Sequence, residues 1–152
     1  MDILHFALEQ ERQVEQYYRQ LALISRCKAV KQVLLNMADA EHSHVLTLQE
    51  YQKSRHVSMT PYGYADCCGW IKVLDAGPSD EVVEAAMELY EAARDVKLQE
   101  EQFYENAAEQ TDIPLEKMLF NGLRLDENKG AALIDRLCYS MFKEALPELA
   151  IA

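Results

Sequence analysis

Ala38-Asp39-Ala40-Glu41-His42-Ser43-His44 interrupts an otherwise apolar helical stripe, and the fold turns on what that interruption means. Around it Val30, Val33, Leu34, Met37, Ala38, Val45 and Leu48 recur at the i, i+3, i+4, i+7 spacing of a buried helix face. Continuing the stripe brings Glu41 and His44 onto the same face, one turn apart. A carboxylate and an imidazole buried there without partners would cost several kcal/mol or be forced neutral. Taken alone, Glu-x-x-His is a short motif. A satisfied interior histidine on a face turned partly to water accounts for it as well. Partners elsewhere in the chain decide between the two.

Outward from this stretch, residues 2 to about 26 carry a stripe at Leu4, Ala7, Leu8, Val14, Tyr18, Leu21 and Ala22, with Glu11 inside it. No Gly or Pro marks the turn near Arg26-Cys27-Lys28. It is inferred because one helix of about 50 residues would far exceed the mean of about 11–12. The second helix then runs to about Ser54. Residues 55–79 lose the period and are punctuated by Pro61, Gly63, Gly69, Gly77 and Pro78, with Tyr62, Tyr64 and Trp70 among them and room for a short helix over 65–74. This length predicts a crossover along the bundle: 25 extended residues reach roughly 80 Å, and a 25-residue helix is roughly 38 Å long.

Pro78-Ser79-Asp80-Glu81 reads as a helix start capped by Ser79. The third helix is expected to about Glu109, its stripe at Val83, Ala86, Met87, Tyr90, Ala93, Tyr104, Ala107 and Ala108, with Lys97 in line. Thr111-Asp112-Ile113-Pro114 opens the fourth. Its stripe is Leu115, Leu119, Leu123, Leu133 and Leu137, around a middle of Asp126, Lys129 and Gly130, and it ends near Leu146 before Pro147. The expectation is one all-α domain spanning 1–152, a four-helix bundle.

Composition narrows the function. A formal charge of −11 argues against nucleic acid, whose phosphates need clustered Lys and Arg. No run approaches the roughly 18 apolar residues of a membrane span. The charged opening (Glu9, Glu11, Arg12) is unlike a secretory leader, and the four cysteines form no Cys-x-x-Cys pair. Together these predict a cytoplasmic protein with reduced thiols, Cys67-Cys68 being an adjacent pair.

Internal repetition supplies the missing partners. A shift of 86 pairs Ala7 with Ala93, Gln13 with Gln99, Glu15 with Glu101, Gln16 with Gln102, Tyr18 with Tyr104 and Ala22 with Ala108. For the second and fourth helices a shift of 85 pairs Leu34 with Leu119, Asn36 with Asn121 and Leu48 with Leu133. The chain therefore reads as two related helical hairpins. Under this pairing Glu11 corresponds to Lys97, Glu41 to Asp126 and His44 to Lys129. Counted from the two turns, Glu11, Glu41, Lys97 and Asp126 fall within roughly 2–3 Å of one level. The stripe-breaking ionisable residues should meet inside the bundle.

These residues resemble the di-iron pattern of ferritin-like proteins, and rubrerythrins most: one Glu from each of two helices plus Glu-x-x-His from each of the other two. The resemblance rests on Glu11, on Tyr18 seven residues on in Tyr-Tyr-x-x-Leu-Ala, and on Glu41-x-x-His44. It covers nearly the whole chain in helix order and crossover placement, with specific motifs in the first hairpin and degraded ones in the second. It implies a ferritin-like bundle in which Glu11, Glu41 and His44 hold one metal and Asp126 is a bridging carboxylate. Glu100 stands where rubrerythrins bring a further glutamate, and Tyr18 and Tyr104 would donate to the carboxylates. Lys97 replaces the third-helix glutamate and Lys129 the second histidine. No Cys-rich electron-transfer segment of the rubrerythrin kind lies within these residues.

An ammonium has no free lone pair, so the second metal loses both its private ligands. Two ammonium groups then face three carboxylates, or four with Glu100, and the surplus negative charge suits one transition-metal ion. A mixed carboxylate and imidazole set fits Fe, Mn or Zn, and the resemblance implies iron. The expected function is a rubrerythrin-like metal-binding protein with a single-metal site, related to oxidoreductases that handle iron, oxygen or peroxide, and forming a homodimer. A metal-free alternative makes Lys97, Lys129 and the carboxylates a buried ion network in a structural or partner-binding module. His42 is expected at the surface, with His5 at the first helix start and His56 in the crossover.

Overall fold

The computed structural model describes residues 2–57 and 80–145. Among these the regular structure is entirely helical: α1 (Ile3–Ile24), α2 (Lys28–Ser54), α3 (Asp80–Gln110) and α4 (Pro114–Ala145). The Asp2 carboxylate caps α1 by accepting from Leu4 N at 2.7 Å and His5 N at 3.2 Å. The turn inferred without Gly or Pro is real and three residues long. Arg55 closes α2 in the left-handed region (φ 54°), its N–H donating to Tyr51 O at 2.9 Å. Before α4, Thr111 Oγ1 donates to Glu116 Oε2 at 2.6 Å and accepts from Ile113 N at 3.2 Å.

α1 packs along α2 and α3 along α4, and the two hairpins meet chiefly through α2 and α3. The interior is two apolar clusters. One gathers Tyr18, Val30, Leu34, Met37, Leu89, Ile134 and Leu137. The other gathers Leu4, Leu8, Leu48, Tyr51, Tyr104, Phe120 and Leu123. Each fully buried Leu or Phe contributes roughly 1.5–3 kcal/mol. Chain direction follows from cluster membership: α2 and α3 both run from the first cluster to the second, α1 and α4 the other way. Residues 55–79 therefore join opposite ends of the bundle. Most of that crossover, with Tyr62, Tyr64, Trp70, Cys67-Cys68, the 65–74 helix and the Ser79 cap, lies outside the described residues.

Between the clusters every helix turns polar: Glu11 on α1, Glu41 and His44 on α2, Lys97 and Glu100 on α3, Asp126 and Glu127 on α4, all buried. The level match read from the sequence is thus present in the fold. The stripe of α4 needs correction. Leu119, Leu123, Asp126, Gly130 and Leu137 are buried as expected, but Leu115 and Lys129 are exposed, and Phe120, Glu127 and Ile134 join the buried face. On α3, Met87 is also exposed. One residue along a helix is a turn of about 100°, which carries Lys129 off the interior face that Gly130 shares.

Burial shows the true register. At a uniform offset of 86, buried Val33, Leu34, Met37, Glu41, His44, Val45, Leu48 and Tyr51 fall on buried Leu119, Phe120, Leu123, Glu127, Gly130, Ala131, Ile134 and Leu137. The same offset relates Ala7, Glu11, Tyr18 and Ala22 to Ala93, Lys97, Tyr104 and Ala108. The second Glu-x-x-His therefore reads Glu127-x-x-Gly130.

Candidate metal centre

His44 organises the polar layer through both ring nitrogens. Nε2 lies 3.2 Å from Asp126 Oδ2, a hydrogen bond joining α2 to α4. Nδ1 faces three carboxylate oxygens: Glu127 Oε1 at 2.9 Å, Glu11 Oε2 at 3.5 Å and Glu41 Oε2 at 3.7 Å. None of the three is aligned with Nδ1 as a hydrogen bond, and all four atoms lack a hydrogen-bond partner.

The remaining oxygens of the same carboxylates are engaged. Lys97 Nζ donates to Glu41 Oε1, to Glu127 Oε2 at 2.9 Å and to Glu100 Oε2 at 3.4 Å. Tyr104 OH donates to Glu11 Oε1. Glu41 and Glu127 thus each turn one oxygen to the ammonium and the other to the space before His44 Nδ1. This is a bridging arrangement with Lys97 on one side.

Electrostatics follow from burial and these partners. Burial, with Glu41 alongside, pushes the Glu11 carboxyl well above its ordinary value. Burial would raise Glu41 too, but the Lys97 ammonium, helped by Glu11 and His44, overrides it and holds Glu41 well below the usual carboxylate range. Burial favours neutral His44, yet Glu11, Asp126 and Glu127 outweigh it and raise the imidazole well above its ordinary value. Glu100 is raised by burial, then by Glu127 and Glu41. Both tyrosines are raised by burial, Tyr104 further by Glu11. Burial and these partners thus favour a retained proton on Glu11 and on His44.

Glu11, Glu41, His44 and Glu127 form a buried group whose facing atoms lie within 4.8 Å of one another. Metal–ligand bonds to nitrogen and oxygen of about 2.0–2.2 Å span at most about 4.3 Å between opposite ligands. A shift of a few tenths of an ångström closes the group on one ion. The residues fit a metal. Three carboxylates and one imidazole, with His44 held by Asp126, match the donor set and the outer support of Fe, Mn or Zn sites.

The sequence-predicted residues divide as follows. Glu11, Glu41 and His44 converge. Asp126 is in the centre but bonds the far nitrogen of His44, so its place among the converging oxygens is taken by Glu127. Glu100 reaches Lys97 and not the converging group. Lys97 is fully buried in the carboxylate layer, but Lys129 is exposed and takes no part, because its helix position is one residue off the interior face. Tyr104 donates to Glu11 as expected, while buried Tyr18 OH has no hydrogen-bond partner and its ring lies 5.4 Å from Lys97 Nζ. The repeat explains the difference: the residue that Tyr18 should bond is Lys97, which accepts nothing.

Glu127 was the residue missed. Its signal was the uniform 86-residue shift, which pairs it with Glu41 directly. Exposed His42 lies at the surface, 3.2 Å from Glu15 Oε2. A surface groove of about 670 Å³ lined by His42, His5, Arg12 and Glu15 contains none of the buried ligand atoms. No family model matches the chain, and no curated protein or solved structure matches it.

Proposed function

We propose that this chain is a rubrerythrin-like, ferritin-related metal-binding protein that holds one transition-metal ion between Glu11, Glu41, His44 and Glu127. One observation carries this reading: of the six buried side-chain atoms left without hydrogen bonds among the described residues, four face one another. Native interiors rarely orphan so many polar atoms, and a shared unmet need in one place points to a missing cation. Two related hairpins and a long crossover support the family likeness.

When bound, the ion supplies Lewis acidity, and iron or manganese would add one-electron chemistry toward oxygen or peroxide. The chain's own residues define the rest. Asp126 fixes the ring of His44 so that Nδ1 faces inward. Tyr104 holds Glu11. Lys97 occupies the other end of both bridging carboxylates, so two-metal chemistry has no second ion to use. The family resemblance further suggests a cytoplasmic homodimer. No helix among the described residues is long and apolar enough to cross a membrane.

A metal-free reading is favoured by the 2.9 Å approach of His44 Nδ1 to Glu127 Oε1, which an imidazolium could satisfy. Metal analysis of protein purified without added metal separates the two. One equivalent per chain in the wild type, and none in His44→Ala or Glu127→Ala, is the expected result. No bound metal even after incubation with Fe²⁺, Mn²⁺ or Zn²⁺ would establish the ion network instead.

A further inference from the structure

The buried centre has to be reached. Between α1 and α3 lies a cavity of about 270 Å³. Its lining obeys the internal repeat: Gln13 with Gln99, Val14 with Glu100, and Gln10 with Val96 are partners at the 86-residue offset. The opening therefore sits on the pseudo-twofold relation between α1 and α3, the two helices that supply Glu11 and Lys97. Tyr17, at its edge, ties the helices together by donating to Ala92 O at 3.0 Å. Among the lining residues the sole carboxylate is Glu100, and its repeat partner is apolar Val14.

Glu100 belongs both to this opening and to the centre. It is 2% exposed. Oε2 accepts from Lys97 Nζ at 3.4 Å, and Oε1 is buried with no hydrogen-bond partner. A carboxylate tethered by one oxygen, with the other unmet, in the lining of a cavity rich in side-chain amides is a relay position for a cation shedding water. The amide oxygens of Gln10, Gln13 and Gln99 can replace part of a hydration shell. Glu100 then supplies the first negative charge, one helical turn from Lys97.

We infer that the α1–α3 opening is the route by which a divalent cation enters the centre, with Glu100 as a transit ligand and not a permanent one. This rests on the single-ion reading above. The four converging atoms hold the ion at rest, and Glu100 shortens its passage. Charge focused in such a cleft raises on-rates by about tenfold to a thousandfold.

The test is the rate and extent of Co²⁺ uptake by metal-free full-length protein, followed by the visible absorbance of bound Co²⁺. Glu100→Gln keeps shape and removes the charge. Gln13→Trp narrows the mouth at an exposed position without touching any buried charge. Loading slowed by about tenfold or more in both, with one equivalent still bound at equilibrium and exposed Glu105→Gln loading normally, is the expected result. Wild-type loading rates in both variants would overturn the route. Loss of equilibrium binding in Glu100→Gln would make Glu100 a resident ligand and overturn its transit role. No Co²⁺ in the wild type would overturn the single-ion reading itself, a failure distinct from either.

Discussion

Replacing Lys97 with Met removes an ammonium but keeps an unbranched side chain of similar length. The magnitude follows from what the ammonium holds. At 2.9 Å from Glu127 Oε2, one unit-charge pair is worth roughly 6 kcal/mol at an effective dielectric of about 20. The carboxylates cannot stay ionised without it, so one of them takes up a proton. For a carboxyl of ordinary value 4.5, protonation at pH 7 costs about 3–4 kcal/mol, at about 1.4 kcal/mol per unit. That caps the loss, and it agrees with the 3–5 kcal/mol typical of broken buried pairs. At pH 5 the same step costs below about 1 kcal/mol. The sign is definite: a carboxyl raised in the folded variant binds a proton that the unfolded chain releases, so the deficit grows with pH. Urea unfolding of both proteins in excess chelator at pH 5 and pH 7 measures it. A deficit equal at the two pH values would mean lost packing and refute the counter-charge role. No deficit at all would refute it more directly.

Restoring the repeat should restore a second site: Lys97→Glu with Gly130→His is expected to bind two equivalents of Fe²⁺ or Mn²⁺, read by metal analysis against one in the wild type. The tyrosines should part company in thermal or chemical unfolding. Tyr104→Phe leaves Glu11 Oε1 without its partner and should cost roughly 1–3 kcal/mol, whereas Tyr18→Phe deletes an unpartnered hydroxyl and should be neutral or stabilising. Asp126→Asn should keep one equivalent but weaken metal affinity about 10–100-fold, measured by chelator competition, since it disturbs only the far nitrogen of His44. In pH titrations of metal-free protein, stability should fall as pH rises above the ordinary carboxylate range. Glu11, Glu100 and His44 keep protons in the fold that the unfolded chain loses, each adding a slope of up to about 1.4 kcal/mol per pH unit. Glu41, held low by Lys97, acts oppositely and loses its contribution as pH falls through the acid range. Metal loading should reverse the main trend and release about two protons, from Glu11 and His44, detectable by calorimetry in buffers of different ionisation enthalpy.

Helix number, helix ends and the convergence of polar residues were legible because each is periodic, and the period of α2 is strong. Glu11, Glu41 and His44 interrupt stripes whose other members are mostly buried, whereas Lys97 lies in a stripe where Ala86 and Ala93 are buried but Met87 is not. α4 was harder. Its apolar residues are spread round the helix, with Leu115, Met118 and Leu125 exposed, so leucine alone does not mark the inner face. Two adjacent acids, Asp126 and Glu127, then offered two registers a residue apart. Both prove buried, one bonding the far side of His44 and the other joining the near side. No pattern of side-chain types separates those roles, which depend on which oxygen faces which nitrogen.

The asymmetry of the centre follows from Lys97. Its three donors match one oxygen each of Glu41, Glu127 and Glu100. Glu41 Oε2 and Glu127 Oε1 are left over, and they face Glu11 and His44. The same lysine deprives Tyr18 of the acceptor that Glu11 gives Tyr104, so that phenol is unpaired. At the position that the 86-residue offset relates to His44 stands Gly130. The unpaired phenol and the Glu100 contact both follow from that lysine. If these buried charges served only stability, apolar replacements for them would be neutral or better by about 1–4 kcal/mol. Instead three carboxylates and a histidine stay sealed around one unmet point, with a fourth carboxylate steadying the ring. On the proposed single-ion reading, a cation at that point recovers their cost.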